Sequence, residues 1–168
     1  MGHDRIPIII EKKYAYQGIF DIKYTYNILM NFLENSRHYD LAEKDYDEKV
    51  SDDGRTIMSK VEAEQEFTDY YKVIIKYQLT MDGKDVTIEQ DGKTLKMSKG
   101  EAKLIVNAYV VPDFQGQKPK GPLAEFLEKV YHKYIGHDEF IKCAGSAAGD
   151  VSELLARFKQ SVNATKFR

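Results

Sequence analysis

The stretch Tyr71-Lys72-Val73-Ile74-Ile75-Lys76-Tyr77-Gln78-Leu79-Thr80-Met81 constrains the fold more than any other part of the chain. Every odd position is apolar and the even positions are polar except Ile74, so apolar and polar side chains point to opposite faces of a strand. One buried and one wet face belong to an antiparallel sheet, because parallel strands are covered on both sides and read as continuous apolar runs. The same two-residue period marks most of residues 39–111. Ile57, Val61 and Ala63 alternate on a strand reached from residues 41–50 through Ser51-Asp52-Asp53-Gly54. Asp82-Gly83 and Asp91-Gly92 both read as hairpin turns, since glycine accepts the positive φ such turns need. Val86 and Ile88 fall between these turns, and Leu95 and Met97 follow the second. Ala102, Leu104, Val106, Ala108 and Val110 form a last long strand ended by Pro112. Connections this short leave no room for the helical crossover that parallel strands require. The middle of the chain is a meander.

Helical periodicity flanks it. Ile8, Ile10, Tyr14 and Tyr16 read as a first strand over residues 8–17, with Gly18 as its punctuation. Asp21 can cap a helix whose apolar face is Ile22, Tyr26, Leu29, Met30 and Leu33, closed by Asn35-Ser36. After a Gly-, Pro- and Lys-rich connector at residues 115–122, Leu123, Phe126, Leu127, Val130, Tyr131, Tyr134 and Ile135 trace a second amphipathic stripe. Gly136 is its expected stop. The Gly- and Ala-rich residues 144–149 read as a break. A third helix then starts at an Asp150/Glu153 capping box and carries Val151, Leu154, Leu155, Phe158 and Val162. The expectation is an α+β fold, a single antiparallel sheet of six or seven strands packed against C-terminal helices, as one domain over residues 6–165 after a polar leader at 1–5.

Composition narrows the function classes. A chain of 168 residues suits one domain, and folding at this size buries roughly 70% of the unfolded surface. Lys and Arg total 25 against 27 Asp and Glu, a net charge of −2, which removes the bulk attraction expected of a nucleic-acid or anionic-membrane binder. A single cysteine, Cys143, forms neither an internal disulfide nor a cysteine metal cluster, and fits a reducing compartment. No window approaches the ~20 apolar residues of a membrane span. The run Ile6 to Ile10 is too short for a signal-peptide core. The chain is therefore expected to be cytoplasmic, with neither a membrane span nor a nucleic-acid partner.

Strand, helix, hairpin-linked antiparallel strands and C-terminal helix is an order that resembles the START-like, helix-grip superfamily of polyketide cyclases, START lipid carriers and pollen-allergen-like proteins. The resemblance spans residues 8–162. In that superfamily a curved sheet wraps the C-terminal helix and leaves an apolar cavity between them. The resemblance implies non-catalytic binding of an apolar small molecule of lipid or isoprenoid type. The walls would come from Tyr71, Val73, Ile75 and Tyr77 on one strand and Leu104 and Val106 on another, closed by Phe126, Val130 and Tyr134. Residues 115–122 and 136–149 would then flank a lid. Three features depart from the superfamily: one helix near residues 22–34 where many members have two, no glycine-rich loop at Ser51–Gly54, and the interruption near 136–149. Tyr14-Ala15-Tyr16-Gln17-Gly18-Ile19-Phe20-Asp21 and Thr68-Asp69-Tyr70-Tyr71-Lys72-Val73-Ile74-Ile75 are also similar to small archaeal proteins that carry no assigned function. A protein-interaction module with a filled core stands as the alternative, because a cavity wall and a core residue look the same in sequence. A cyclase-type enzyme would need a polar group aimed into the cavity, and the sequence nominates none.

No motif adds chemistry. His132 and His137 are five apart with Gly136 between them, whereas two helical metal ligands need i, i+4 spacing, and His132 sits among Lys129 and Lys133 on the polar face. The carboxylates at Glu43, Asp45, Asp47 and Glu48, and those at Glu62, Glu64 and Glu66, read as solvated sheet faces, the latter within reach of Lys72 and Lys76. Cys143 lacks the context of a nucleophile, and no phosphate loop, dinucleotide fingerprint or serine elbow occurs. No catalytic residue, cofactor or metal is expected. Lys118 and Lys120 with Lys129, His132 and Lys133 are diluted by Glu125 and Glu128 into an ordinary solvated surface. Twelve tyrosines, among them Tyr14, Tyr16, Tyr24, Tyr26, Tyr70, Tyr71 and Tyr77, fit either a ring-lined cavity or half-buried sheet surface.

Overall fold

The computed structural model describes residues 5–112 and 136–163, with Pro122, Leu123 and Phe126 between them. Its elements run β1 (Ile6–Phe20), α1 (Ile22–Asn31), a π-helical turn (Phe32–Ser36), β2 (Asp40–Val50), β3 (Gly54–Glu66), β4 (Tyr71–Gln90), β5 (Lys93–Pro112) and α2 (Gly136–Val162). The strands form one sheet in the order β1-β5-β4-β3-β2, antiparallel throughout. The fold is α+β, and α2 lies on one face of that sheet.

Among the described residues there are five strands, where the alternation predicts six or seven. The excess has two sources: residues 98–101 continue β5 without a break, and Asp82-Gly83 does not turn. β4 runs through it, with Gly83 opposite Gly100 of β5 and Arg55 of β3. Gly100 in turn faces Gly18 of β1. These glycines serve close approach: a Cβ on Gly100 would lie 1.9 Å from the Asp82 carbonyl oxygen, and one on Gly83 would lie 2.8 Å from Ser98 Cβ. Asp91-Gly92 does form the hairpin, with φ of 52° and 75°. Pairing of β4 with β3 ends at Lys84, opposite Gly54, and pairing of β5 with β1 ends at Ser98, opposite Phe20, so residues 85–97 continue as a two-stranded ribbon. The uneven alternation of β1 has its cause in two register shifts, between Pro7 and Ile9 and between Ile9 and Lys12, with Glu11 at φ 48° inside the second.

The expected break at residues 136–149 is also corrected. α2 is helical without interruption, and Asp150 lies inside it rather than at a cap. Its buried stripe runs Cys143, Ala147, Val151, Leu154, Phe158 and Val162, straight through the small-residue stretch. Gly145 and Gly149 meet no atom within 4 Å at their would-be Cβ positions, so they lie on the open side. Glu153, expected in a capping box, instead pairs with Arg157 at 3.3 Å along the helix. The connector at 115–121 and the stripe residues Leu127, Val130, Tyr131, Tyr134 and Ile135, with His132, lie outside the described residues. Pro122, Leu123 and Phe126 are helical, and Leu123 and Phe126 are exposed.

Asp21 caps α1 as expected, accepting from the Tyr24 amide at 3.1 Å. The helix ends in the π-turn, where Arg37 N donates to Phe32 O, Tyr39 N donates to Leu33 O, and His38 takes a left-handed φ of 60°. α2 packs on β1, β5 and β4, with α1 beside it. Odd residues of β4 and even residues of β5 join both helices in one apolar cluster. Among the described residues, no helix is long and apolar enough to cross a membrane.

Candidate functional site

The inner face of the sheet is laid out by register. One row crosses it as Glu43, Val61, Tyr77 and Val106, and the next as Tyr46, Ser59, Leu79 and Leu104. A bulge between Glu43 and Asp45 places Lys44 as the extra residue. A shift of one residue exchanges the faces of a strand, so Leu41 and Glu43 face inward before the bulge and Tyr46 and Glu48 after it. Two acidic side chains thereby stand on the face that carries the core.

A polar cluster forms where α1 meets β2 and β3. The Tyr26 hydroxyl donates to Glu43 Oε2 at 2.6 Å, and Ser59 Oγ donates to the same oxygen at 2.7 Å. Ser59 is fully buried, although it lies on the apolar side of its strand. The Tyr26 ring meets Tyr46 edge-on at 5.8 Å, and the Tyr46 hydroxyl donates to Glu48 Oε2 at 2.8 Å. Tyr77 completes the row. It is 3% exposed, and its hydroxyl has no hydrogen-bond partner among the described residues. Burial, reinforced by Tyr26 and Glu43, holds the Tyr77 phenol far above its ordinary pKa. Burial and the bond to Glu43 do the same to Tyr26. Both phenols are therefore neutral hydrogen-bond donors at physiological pH. On α1, Thr25 Oγ1 is the buried side-chain polar atom without a hydrogen-bond partner among the described residues.

A second cluster joins α2 to the end of the π-turn. Asp150, 7% exposed, accepts from the buried Tyr39 hydroxyl at 2.6 Å and faces Arg37 Nε at 3.3 Å. A carboxylate inside a helix is held there by a charged and a neutral donor, which satisfies it. Each carboxylate oxygen thus has a partner, and the contact fastens α2 to the segment between the π-turn and β2.

The sequence-predicted wall residues Tyr71, Val73, Ile75 and Tyr77 come together on β4 with Leu104 and Val106 on β5, all on the inner face at 0–3% exposure. Tyr71 packs on Phe140 of α2 at 6.0 Å between ring centroids, and Tyr14 on Phe158 at 5.8 Å. Phe126 is 61% exposed, and Val130 and Tyr134 lie outside the described residues. On the outer face Lys76 pairs with Glu62 at 3.6 Å and Lys72 with Glu64 at 3.2 Å, the cross-strand neutralisation expected there. Sequence reasoning missed Tyr26, Glu43 and Ser59 as a group. The one available signal was Ser59 between Ile57 and Val61 in an otherwise apolar alternation.

Among the described residues, no group of three or more His, Cys, Asp or Glu could hold a metal ion. Fold and site together define the class: an α+β protein with a five-stranded antiparallel sheet, helices on one face, and a hydroxyl–carboxylate cluster at the margin of the apolar interior. Compared with models of known protein families and with curated proteins, the chain matches none.

Proposed function

We propose that this chain binds an apolar small molecule of lipid or isoprenoid type, without catalysis, between the sheet and its helices. The polar end of that molecule would lie at Tyr77, Tyr26 and Glu43. The observation that carries this reading is the Tyr77 hydroxyl. It stands beside Tyr26 and Glu43 with no acceptor among the described residues, so its O–H is available to donate to a ligand oxygen. Glu43, fixed by Tyr26 and Ser59, offers a preset acceptor beside that donor. The START-like element order supports the same reading, since a sheet–helix cavity is where that superfamily places its ligands. Native mass spectrometry of protein purified without denaturation tests it. The expected result is a co-purified mass in the lipid or isoprenoid range that is lost or weakened in Tyr77→Phe. A bare protein mass in the wild type, with Tyr77→Phe unaltered in stability, overturns it.

A protein-interaction module is the second reading, and a different observation favours it. Where α2 covers β4 and β5, Val73, Ile75, Leu104 and Val106 are buried together with the helix stripe, as in a filled core. Any ligand would therefore lie toward α1 and β2. Pull-down of a defined partner by protein carrying no ligand mass would favour the module.

A further inference from the structure

We propose that a groove at the foot of α1 binds a phosphate group carried on a small organic molecule. The groove has a volume of about 530 Å³ and is walled by the start of α1, Arg55 of β3, and the base of the β4–β5 ribbon. That volume falls within the ~300–1,000 Å³ usual for small-molecule sites. It is independent of the inner-face reading above.

Three cations converge on it: Lys23, Arg55 and Lys96. Arg55 has only a loose contact of 3.9 Å with Glu48, between two partly exposed side chains, and is available for more. α1 points its N-terminus into the same groove. The first-turn amides of a helix lack intrahelical acceptors, and Asp21 takes only that of Tyr24, which leaves Ile22 and Lys23 N–H. Apart from the capping Asp21, no acidic residue stands in the first turn.

Ser98 supplies the independent sign of a ligand. It lines the groove, is 8% exposed, and has no hydrogen-bond partner among the described residues. Its position depends on Gly83, where a Cβ would come within 2.8 Å of Ser98 Cβ. A serine hydroxyl on the groove wall, two helix amides and three cations are more donors than the two oxygens of a carboxylate would use, and they suit the three terminal oxygens and higher charge of a phosphomonoester. Ile22, Val86 and Met97 form an apolar wall for the rest of the molecule. Asp21 and Asp85 are the two carboxylates present. Both carboxylates oppose an anion, and Asp85 is the one that can be neutralised without removing the cap of α1.

The test is amide-resolved NMR titration with inorganic phosphate and with hexyl phosphate, each against chloride at matched ionic strength. Saturable shifts are expected at Ile22, Lys23 and Ser98, with hexyl phosphate binding more tightly than inorganic phosphate. The exposed pair Lys23→Gln/Lys96→Gln should weaken binding about tenfold or more, and Asp85→Asn should tighten it several-fold. Shifts no larger than those from chloride would overturn the proposal. So would affinity unchanged in both the double lysine variant and Asp85→Asn.

Discussion

Two glycines in the middle of α2 offer the sharpest test of the fold, because the sequence reading and the structure give opposite signs. Residues 144–149 read as a break, yet they are helical and carry the buried Cys143–Ala147–Val151 stripe past them. A glycine inside a helix costs about 0.8–1.0 kcal/mol relative to alanine, through the backbone entropy it loses on folding. A Cβ at Gly145 or Gly149 meets nothing within 4 Å, so no steric penalty offsets that gain. Gly145→Ala and Gly149→Ala should each stabilise the protein by about 1 kcal/mol, and the double variant by about 2 kcal/mol. At this chain length the double variant should melt about 4–8 °C higher. Urea unfolding should show the same gain as a shifted midpoint at constant slope. Gly100→Ala is the internal control. Its Cβ would fall 1.9 Å from a backbone oxygen, and it should lose more stability than either helix variant gains. If the two helix variants lose stability instead, residues 144–149 are not helical in solution and α2 is two helices.

Two further outcomes follow from buried hydroxyls. Tyr39→Phe leaves Asp150 with Arg37 alone and should cost about 1.5–3 kcal/mol in urea unfolding, whereas Tyr46→Phe, on the exposed edge, should change stability by less than about 0.5 kcal/mol. Tyr39 and Tyr77 hold their protons well above the ordinary 10.0, chiefly because burial disfavours the phenolate. Above pH 10 the unfolded chain releases protons that the native state keeps, so stability is full below pH 10 and falls above it, by up to about 3 kcal/mol per pH unit for the pair. Burial pushes the Cys143 thiol up to about 11 from 9.0, which starts the same decline near pH 9. Stability that stays flat from pH 8 to 11 would contradict the burial of all three.

The legible part of the fold is the part written in alternation. The odd positions of residues 71–81 and the even positions of 102–110 are the inner face, because a half-buried antiparallel strand has no other way to satisfy both water and core. Glycine is where legibility ended. Asp82-Gly83 and Asp91-Gly92 are the same dipeptide pattern, and only the second turns. Asp91 and Gly92 adopt positive φ, while Gly83 is bare so that Ser98 and the neighbouring strand can approach. One residue type answers two demands, and the partner that decides between them is on another strand. Gly145 and Gly149 repeat the ambiguity on a helix. Their neighbours Cys143 and Ala147 continue a stripe that small residues make faint, since alanine contributes little apolar contrast to a periodicity.

The candidate site was hidden for a different reason. Glu43 reads as one more carboxylate in an acidic edge strand, and it faces inward only because its register with Val61 holds until the bulge at Lys44. A bulge inserts one residue and reverses the faces downstream, so Tyr46 and Glu48 reach the same side by the opposite parity. No period fits both halves of β2, and a pattern search therefore finds only a charged, solvated strand. Tyr26 is read correctly as part of the helix stripe. Its ring packs against Tyr46 and its hydroxyl reaches Glu43, one residue serving as hydrophobe and donor at once. Ser59 keeps the parity of its apolar neighbours Ile57 and Val61, which is what a polar residue must do to bring a hydroxyl to the inner face. A serine in an apolar period is thus the trace such a site leaves in sequence, and its meaning depends on the carboxylate that a bulge on the next strand turns toward it.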